Sequence, residues 1–136
     1  MTTLTRTRPE IVNPAHLPDT RQNGYSTAAI TSGRVAHLSG QVGFDRTGGL
    51  SPDFATQVAQ AYENLLAVID ALGARPEQVA KLTLFVVDHD MAKLGVLSEV
   101  TARHFGAEPP AQTLVGVAAL ALEPILFEVE AVVQLD

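Results

Sequence analysis

Two glutamates set two apart near the C-terminus, Glu128 and Glu130, are the first candidates for chemistry in this chain. Residues i and i+2 of a strand face the same way, so both carboxylates point opposite Phe127, Val129 and Ala131. Helices covering the apolar side would leave them looking outward. In a monomer they are then two solvated glutamates; where an oligomer buries that face, a partly desolvated carboxylate can act as a general base or orient a water. The second candidate is Gln112, in the run Pro109-Pro110-Ala111-Gln112-Thr113. The double proline forces an extended entry, and Gln112 is the first polar side chain on the strand it launches. Its amide offers one donor group and one acceptor but no charge.

The histidines are less informative. His89 stands between Asp88 and Asp90, but a strand-to-helix junction needs a capping Asp, and no third and fourth ligand follows at a recognisable spacing. That trio reads as a structural turn. His104 is explained by packing and the helix dipole, while His37, inside a strand, and His16, in the N-terminal arm, are unspecific. No metal and no other cofactor is expected. Gly40 and Gly48-Gly49 match no phosphate-cradling loop before a helix. Counting residues leaves a Ser-His-Asp triad open, but no nucleophile elbow is present.

The elements that must position these residues follow from periodicity. Phe54, Val58, Ala61, Leu65, Val68 and Leu72 step by four and three, which predicts a helix from about Pro52 to Leu72 with Ser51 as N-cap and Gly73 as its stop. Asp90 caps a second helix from Met91 to about Phe105, ended by Gly106. Tyr25–Ile30 and Arg34–Leu38, separated by Thr31-Ser32-Gly33, are expected to form a hairpin. Gly40, in Ser39-Gly40-Gln41, marks a bulge or a close approach to the backbone. Lys81–Val87 is a near-continuous apolar run of the kind buried on both faces of a central strand. Gln112–Val117 and Ile125–Val133 complete the strands. The order is ββαβαββ, an α+β sheet with both helices on one face. Residues 1 to about 20 form an extended arm, and the whole of 1–136 is one domain.

The totals restrict the partners. A net charge of -6 gives no positive field for phosphates, which argues against nucleic acid as main partner. An apolar fraction of 46% with 18% charged residues favours burial of extra surface in an oligomer. Cysteine is absent, which excludes disulfides and thiolate chemistry. No signal-peptide core opens the chain and no apolar run approaches the roughly 20 residues of a membrane helix, so a soluble cytoplasmic protein is expected.

Gly24-Tyr25-Ser26, Ser39-Gly40-Gln41, the Gln60 to Gly73 helix with Asn64, Val87-Asp88, Pro110-Ala111-x-Thr113 and Glu128-Val129-Glu130-Ala131 form an ordered set. From about residue 10 to the C-terminus it resembles the Rid family, also called RidA or YjgF-type. The resemblance implies a chorismate-mutase-like fold assembled as a homotrimer, its sheets forming a central barrel with a small-molecule cleft at each subunit interface. The best-studied branch hydrolyses imines and enamines such as 2-aminoacrylate without a cofactor. Carried over residue by residue, Tyr25 and Gly40 line the cleft, Thr113 helps bind substrate and Glu128 positions water. The family's carboxylate-clamping Arg is here Gln112.

That departure has weight, because a guanidinium brings a permanent charge and a planar fork that an amide lacks. Removing one partner of a buried charge pair costs about 2–5 kcal/mol. The expected function is therefore hydrolysis of an imine, enamine or related C–N bond in a ligand without the usual α-carboxylate, with Glu128 and Tyr25 catalytic and Gln112, Gly40 and Thr113 binding. The alternative is a non-catalytic metabolite-binding trimer. An endoribonuclease ranks last, since the chain has neither a basic track nor many stacking aromatics.

Overall fold

In the computed structural model, which describes residues 8–136, the chain forms β1 (Glu10–Val12), β2 (Ala28–Ile30), β3 (Val35–Gln41), α1 (Phe54–Ala71), β4 (Val79–Val87), α2 (Met91–Phe105), β5 (Ala111–Val117) and β6 (Phe127–Gln134). Short 3-10 turns cover Arg21–Asn23 and Pro76–Gln78. The main sheet has the order β3-β6-β4-β5, with β4 and β5 parallel and the other neighbours antiparallel. A parallel pair needs a crossover, and α2 supplies it between β4 and β5.

Burial along β4 alternates. Leu82, Leu84 and Val86 are fully buried, whereas Lys81, Thr83, Phe85 and Val87 are only partly so. The expectation of burial on both faces is thereby corrected: helices cover one side and the other is open in the single chain. β6 agrees, with Phe127, Val129, Ala131 and Val133 buried, Glu128 half-buried and Glu130 exposed. α1 lies over β3 and β6 with α2 beside it, and Tyr62, Leu65, Ile69, Leu97 and Val100 share one core with the sheet. An α-helix drifts about 20° per heptad against a strict 3.5-residue stripe. At its far end the buried residue is accordingly Ile69, while Leu72 is 43% exposed.

The predicted hairpin is not formed. β2 starts at Ala28 and pairs antiparallel with β1, inside the segment expected to be only an extended arm. β3 pairs instead with β6. Gln134 explains the separation: its Oε1 accepts from the Ser32 amide at 3.0 Å, and its Nε2 donates to the Arg8 carbonyl at 3.2 Å. The turn after β2 and the N-terminal strand are thus pinned to the end of β6. The element order gains a strand, to βββαβαββ. The first seven residues of the arm lie outside the described residues.

Helix starts follow hydrogen bonding to the first free amides. Asp90 caps α2 as expected, accepting from the Lys93 amide at 2.8 Å. For α1 the cap is Asp53, not Ser51: Asp53 accepts from the Thr56 amide at 3.0 Å, and Ser51 Oγ accepts from the Asp53 amide at 3.1 Å. Asp88 takes a positive φ of 50° and its carbonyl accepts from Lys93 Nζ at 2.7 Å, consistent with a structural junction. His104 stacks on Tyr62 with ring centroids 5.8 Å apart. Burial, and then the neighbouring Arg103 charge, lower its pKa. No helix among the described residues is long and apolar enough to cross a membrane.

Candidate functional site

β5 is the edge strand of the main sheet, and its start is clamped from outside. Pro109 and Pro110 are buried, and the Pro110 carbonyl accepts from the Ser26 amide at 2.9 Å, so Ser26 pairs in parallel with Ala111. Before it, Gly24 ends the Arg21–Asn23 turn with φ of 90°. A Cβ there would lie 3.4 Å from Thr101 Cγ2, so this glycine both reverses the chain and lets it pass close to α2. Thr20 holds the other side: its Oγ1 donates to the Tyr25 carbonyl at 2.9 Å. These contacts set Tyr25 beside Gln112.

Successive side chains of β5 alternate, and its parallel register with β4 assigns the faces. Gln112 stands level with buried Leu82, on the helix side; Thr113 stands level with Thr83, on the open side. Two cavities meet at this edge. One, of about 360 Å³ between α2 and β5, is lined among the described residues by Asn23, Tyr25, Leu94, Leu97, Ser98, Gln112 and Leu114, none of them charged. The other, of about 500 Å³, shares Asn23, Tyr25 and Gln112 and continues past Ser26, Thr27, Lys81 and Thr113. Both fall in the size range of small-molecule sites. Gln112 Oε1 is buried here without a hydrogen-bond donor, which typically costs about 1–3 kcal/mol. A ligand N–H or O–H would remove that cost.

Gly40 and Glu128 form a second cluster on the open face. A Cβ built on Gly40 would lie 2.8 Å from Glu128 Cγ and 2.5 Å from its Cδ, so the carboxylate occupies the space the glycine leaves. The β3–β6 register breaks between Leu38 and Gln41, the bulge expected at Gly40. Within one chain the two clusters stay apart. Glu128 is level with Phe85 and that residue with Val115, so β4 lies between Glu128 and β5, two strand spacings or about 10 Å away. Tyr25, Gln112 and Thr113 are thus brought together, and Gly40 is brought to Glu128. Lys81 and the α2 residue Ser98 were not singled out from the sequence. Lys81 needs the β4–β5 register.

A mixed sheet covered by helices on one side, with a cleft at its parallel edge, defines a small α+β domain. The chain belongs to the Rid family, also called YjgF or RutC: residues 17–135 match the family model described as Endoribonuclease L-PSP. Among its relatives, a RutC family protein of Pyrococcus horikoshii is 34% identical over 112 residues, 80% of this chain and 86% of that one. The 2-iminobutanoate/2-iminopropanoate deaminase of Salmonella typhimurium is 32% identical over 105 residues, 76% of this chain and 81% of the enzyme. A conserved Rid-family protein of unknown function from Yersinia pestis superposes with a TM-score of 0.89 at 35% identity, covering 94% of this chain and 99% of its own. RidA from a Psychrobacter species superposes with a TM-score of 0.69 at 30% identity, covering 96% and 100%.

Proposed function

We propose that this chain is a cofactor-independent hydrolase of an imine, enamine or related C–N bond, acting on a ligand whose group at Gln112 is neutral. The observation that carries the reading is the unpaired, buried Gln112 Oε1 in a cavity without charged lining. Gln112 exchanges hydrogen bonds with an amide-like or imine group of the ligand in the cavity between α2 and β5, where an α-carboxylate would find no cation among the lining residues. Tyr25 forms the wall of the cleft and can donate a proton, and Thr113 lines its open side. The deaminase named among the relatives supports the reaction class. Water adds to the carbon of the C=N bond and the nitrogen takes up a proton. The tetrahedral adduct then expels ammonia, leaving a carbonyl. Glu128 takes or orients the water proton, and Gly40 makes the room its carboxylate occupies.

Glu128 reaches the cleft in this reading when copies of the chain assemble through the open sheet face as a homotrimer, joining one copy's Gly40–Glu128 pair to another's β5 edge. The separation of the two clusters within one chain favours a second reading, a metabolite-binding trimer without turnover. Glu128→Gln distinguishes the two. A panel of imines, enamines and neutral amides is screened by thermal shift, and ammonia release is measured on the hits. Under the hydrolase reading release collapses in Glu128→Gln while ligand stabilisation persists. If no hit releases ammonia, the binding reading stands. Turnover of 2-aminoacrylate at a rate comparable to Arg-bearing relatives would overturn the neutral-ligand reading. An endoribonuclease, the family model's description, ranks last for a chain of net charge -6.

A further inference from the structure

We infer that Lys81 anchors a carboxylate that the ligand carries away from its C–N bond, a reading that rests on the cleft being the ligand site. The chain has only two lysines, at 81 and 93. Lys93 is committed to the fold, donating to the carbonyls of Val87 and Asp88 at 2.9 and 2.7 Å and lying 5.3 Å from the Phe54 ring centre. Arg21, Arg75 and Arg103 are paired with Asp19, Glu77 and Glu99. Lys81 forms no ion pair among the described residues, and its Nζ donates to Thr113 Oγ1 at 2.7 Å. Among the described residues it is the only charged one lining either cavity. No carboxylate among the described residues lines the cavity it faces.

The rest of that lining supplies donors. An ammonium has three N–H groups, so Lys81 keeps two for a ligand after bonding Thr113, whose own O–H is then free to donate. Ser26 is 1% exposed, and its Oγ is buried in the same lining without a partner. One cation with hydroxyl donors matches a single negative charge, hence a carboxylate and not a phosphate dianion. Gln112 and Thr113 alternate across β5 while Tyr25 and Asn23 line both cavities. The ligand therefore straddles the strand edge, its neutral C–N end against Gln112 and its charged end at Lys81.

Isothermal titration of the full chain at low salt, with the matched pairs succinamate and succinamide, and glutaramate and glutaramide, tests this. At least one monoacid is expected to bind about tenfold or more tightly than its diamide, the preference falling as salt is added. Lys81→Met should bring the pair within about twofold while leaving diamide affinity in place, and Lys81→Arg should keep the preference. Circular dichroism of each variant checks the fold. Equal affinity for acid and diamide in the wild type, a preference that survives Lys81→Met, or tighter binding of inorganic phosphate than of any monoacid would overturn the proposal, as would no binding by the monoacids. Ammonia release is read separately, so loss of turnover with the acid preference intact sinks the hydrolase reading alone.

Discussion

Replacing Gly40 with Ala places a methyl group where the Glu128 side chain lies, and the structure gives the size of the effect. The added Cβ would sit 2.8 Å from Glu128 Cγ, inside the closest approach of real carbon atoms, so the carboxylate must swing away. Because the obstacle is a side chain and not backbone, the cost is that of an unfavourable rotamer, about 0.5–1.5 kcal/mol. Gly40 has no positive φ, so alanine also restricts the unfolded chain, a gain of about 0.4–1 kcal/mol. The net change in Gly40→Ala is therefore close to zero. In a Glu128→Ala background the clash is gone, and the same substitution should stabilise by about 0.4–1 kcal/mol. Urea denaturation of the four corner proteins at one fixed chain concentration reads a coupling of about 0.5–1.5 kcal/mol. Under the proposed hydrolase reading activity should move differently: shifting the carboxylate by an ångström or more is expected to cost about 100-fold in kcat. An identical effect of Gly40→Ala in both backgrounds would refute the adjacency of the two residues.

Two further outcomes are expected. Burial pushes the Tyr62 hydroxyl from 10.0 up to about 12, with the Thr101 hydroxyl pulling weakly the other way. The folded state thus holds this proton more tightly than the unfolded one. The associated stability, about 3 kcal/mol, is complete below pH 10 and lost as pH rises towards 12. Urea titrations across that range should show the loss in the wild type and a smaller one in Tyr62→Phe; parallel slopes would count against it. Gly24→Ala and Gly33→Ala both place alanine at positive φ, 90° and 75°, and each should destabilise by about 1–2 kcal/mol. Only Gly24 packs on Thr101 beside Tyr25, so only Gly24→Ala should also weaken thermal-shift responses to cleft ligands; equal loss in both would be contrary evidence.

How far the fold was legible depended on whether a signal was local. The Asp90 cap, the extent of α2 and the shared face of Glu128 and Glu130 rest on neighbours within a turn or two, and they hold. The β1–β2 pairing was not legible. Glu10–Val12 has only three residues and no alternation to read, and its placement depends on Gln134, more than a hundred residues away. The apolar run in β4 was ambiguous for a different reason: Phe85 and Val87 are apolar on the open face, so composition alone suggested two buried faces. Phe85 and Val87, only partly buried on that face, are also what supports the proposed assembly through it, since such groups gain by further burial.

The site divides along the same line. Gln112 could be singled out because its neighbours Pro109 and Pro110 mark the strand start, and alternation alone separates it from Thr113. Lys81 carried no such mark, being a lone basic residue opening an apolar strand, where a solvated end is the ordinary outcome. Its importance comes from register: the parallel pairing sets Lys81 level with Ala111, close enough for its long side chain to reach Thr113 two residues on. A shift of β5 by one residue would move Gln112 to the open face and Thr113 into the helix side, separating the orphaned amide from the neutral cavity. The Ser26–Pro110 hydrogen bond at the start of β5 thus helps to hold the orphaned amide at the cleft. A substitution at position 112 is read correctly only together with the charge its neighbouring strand presents.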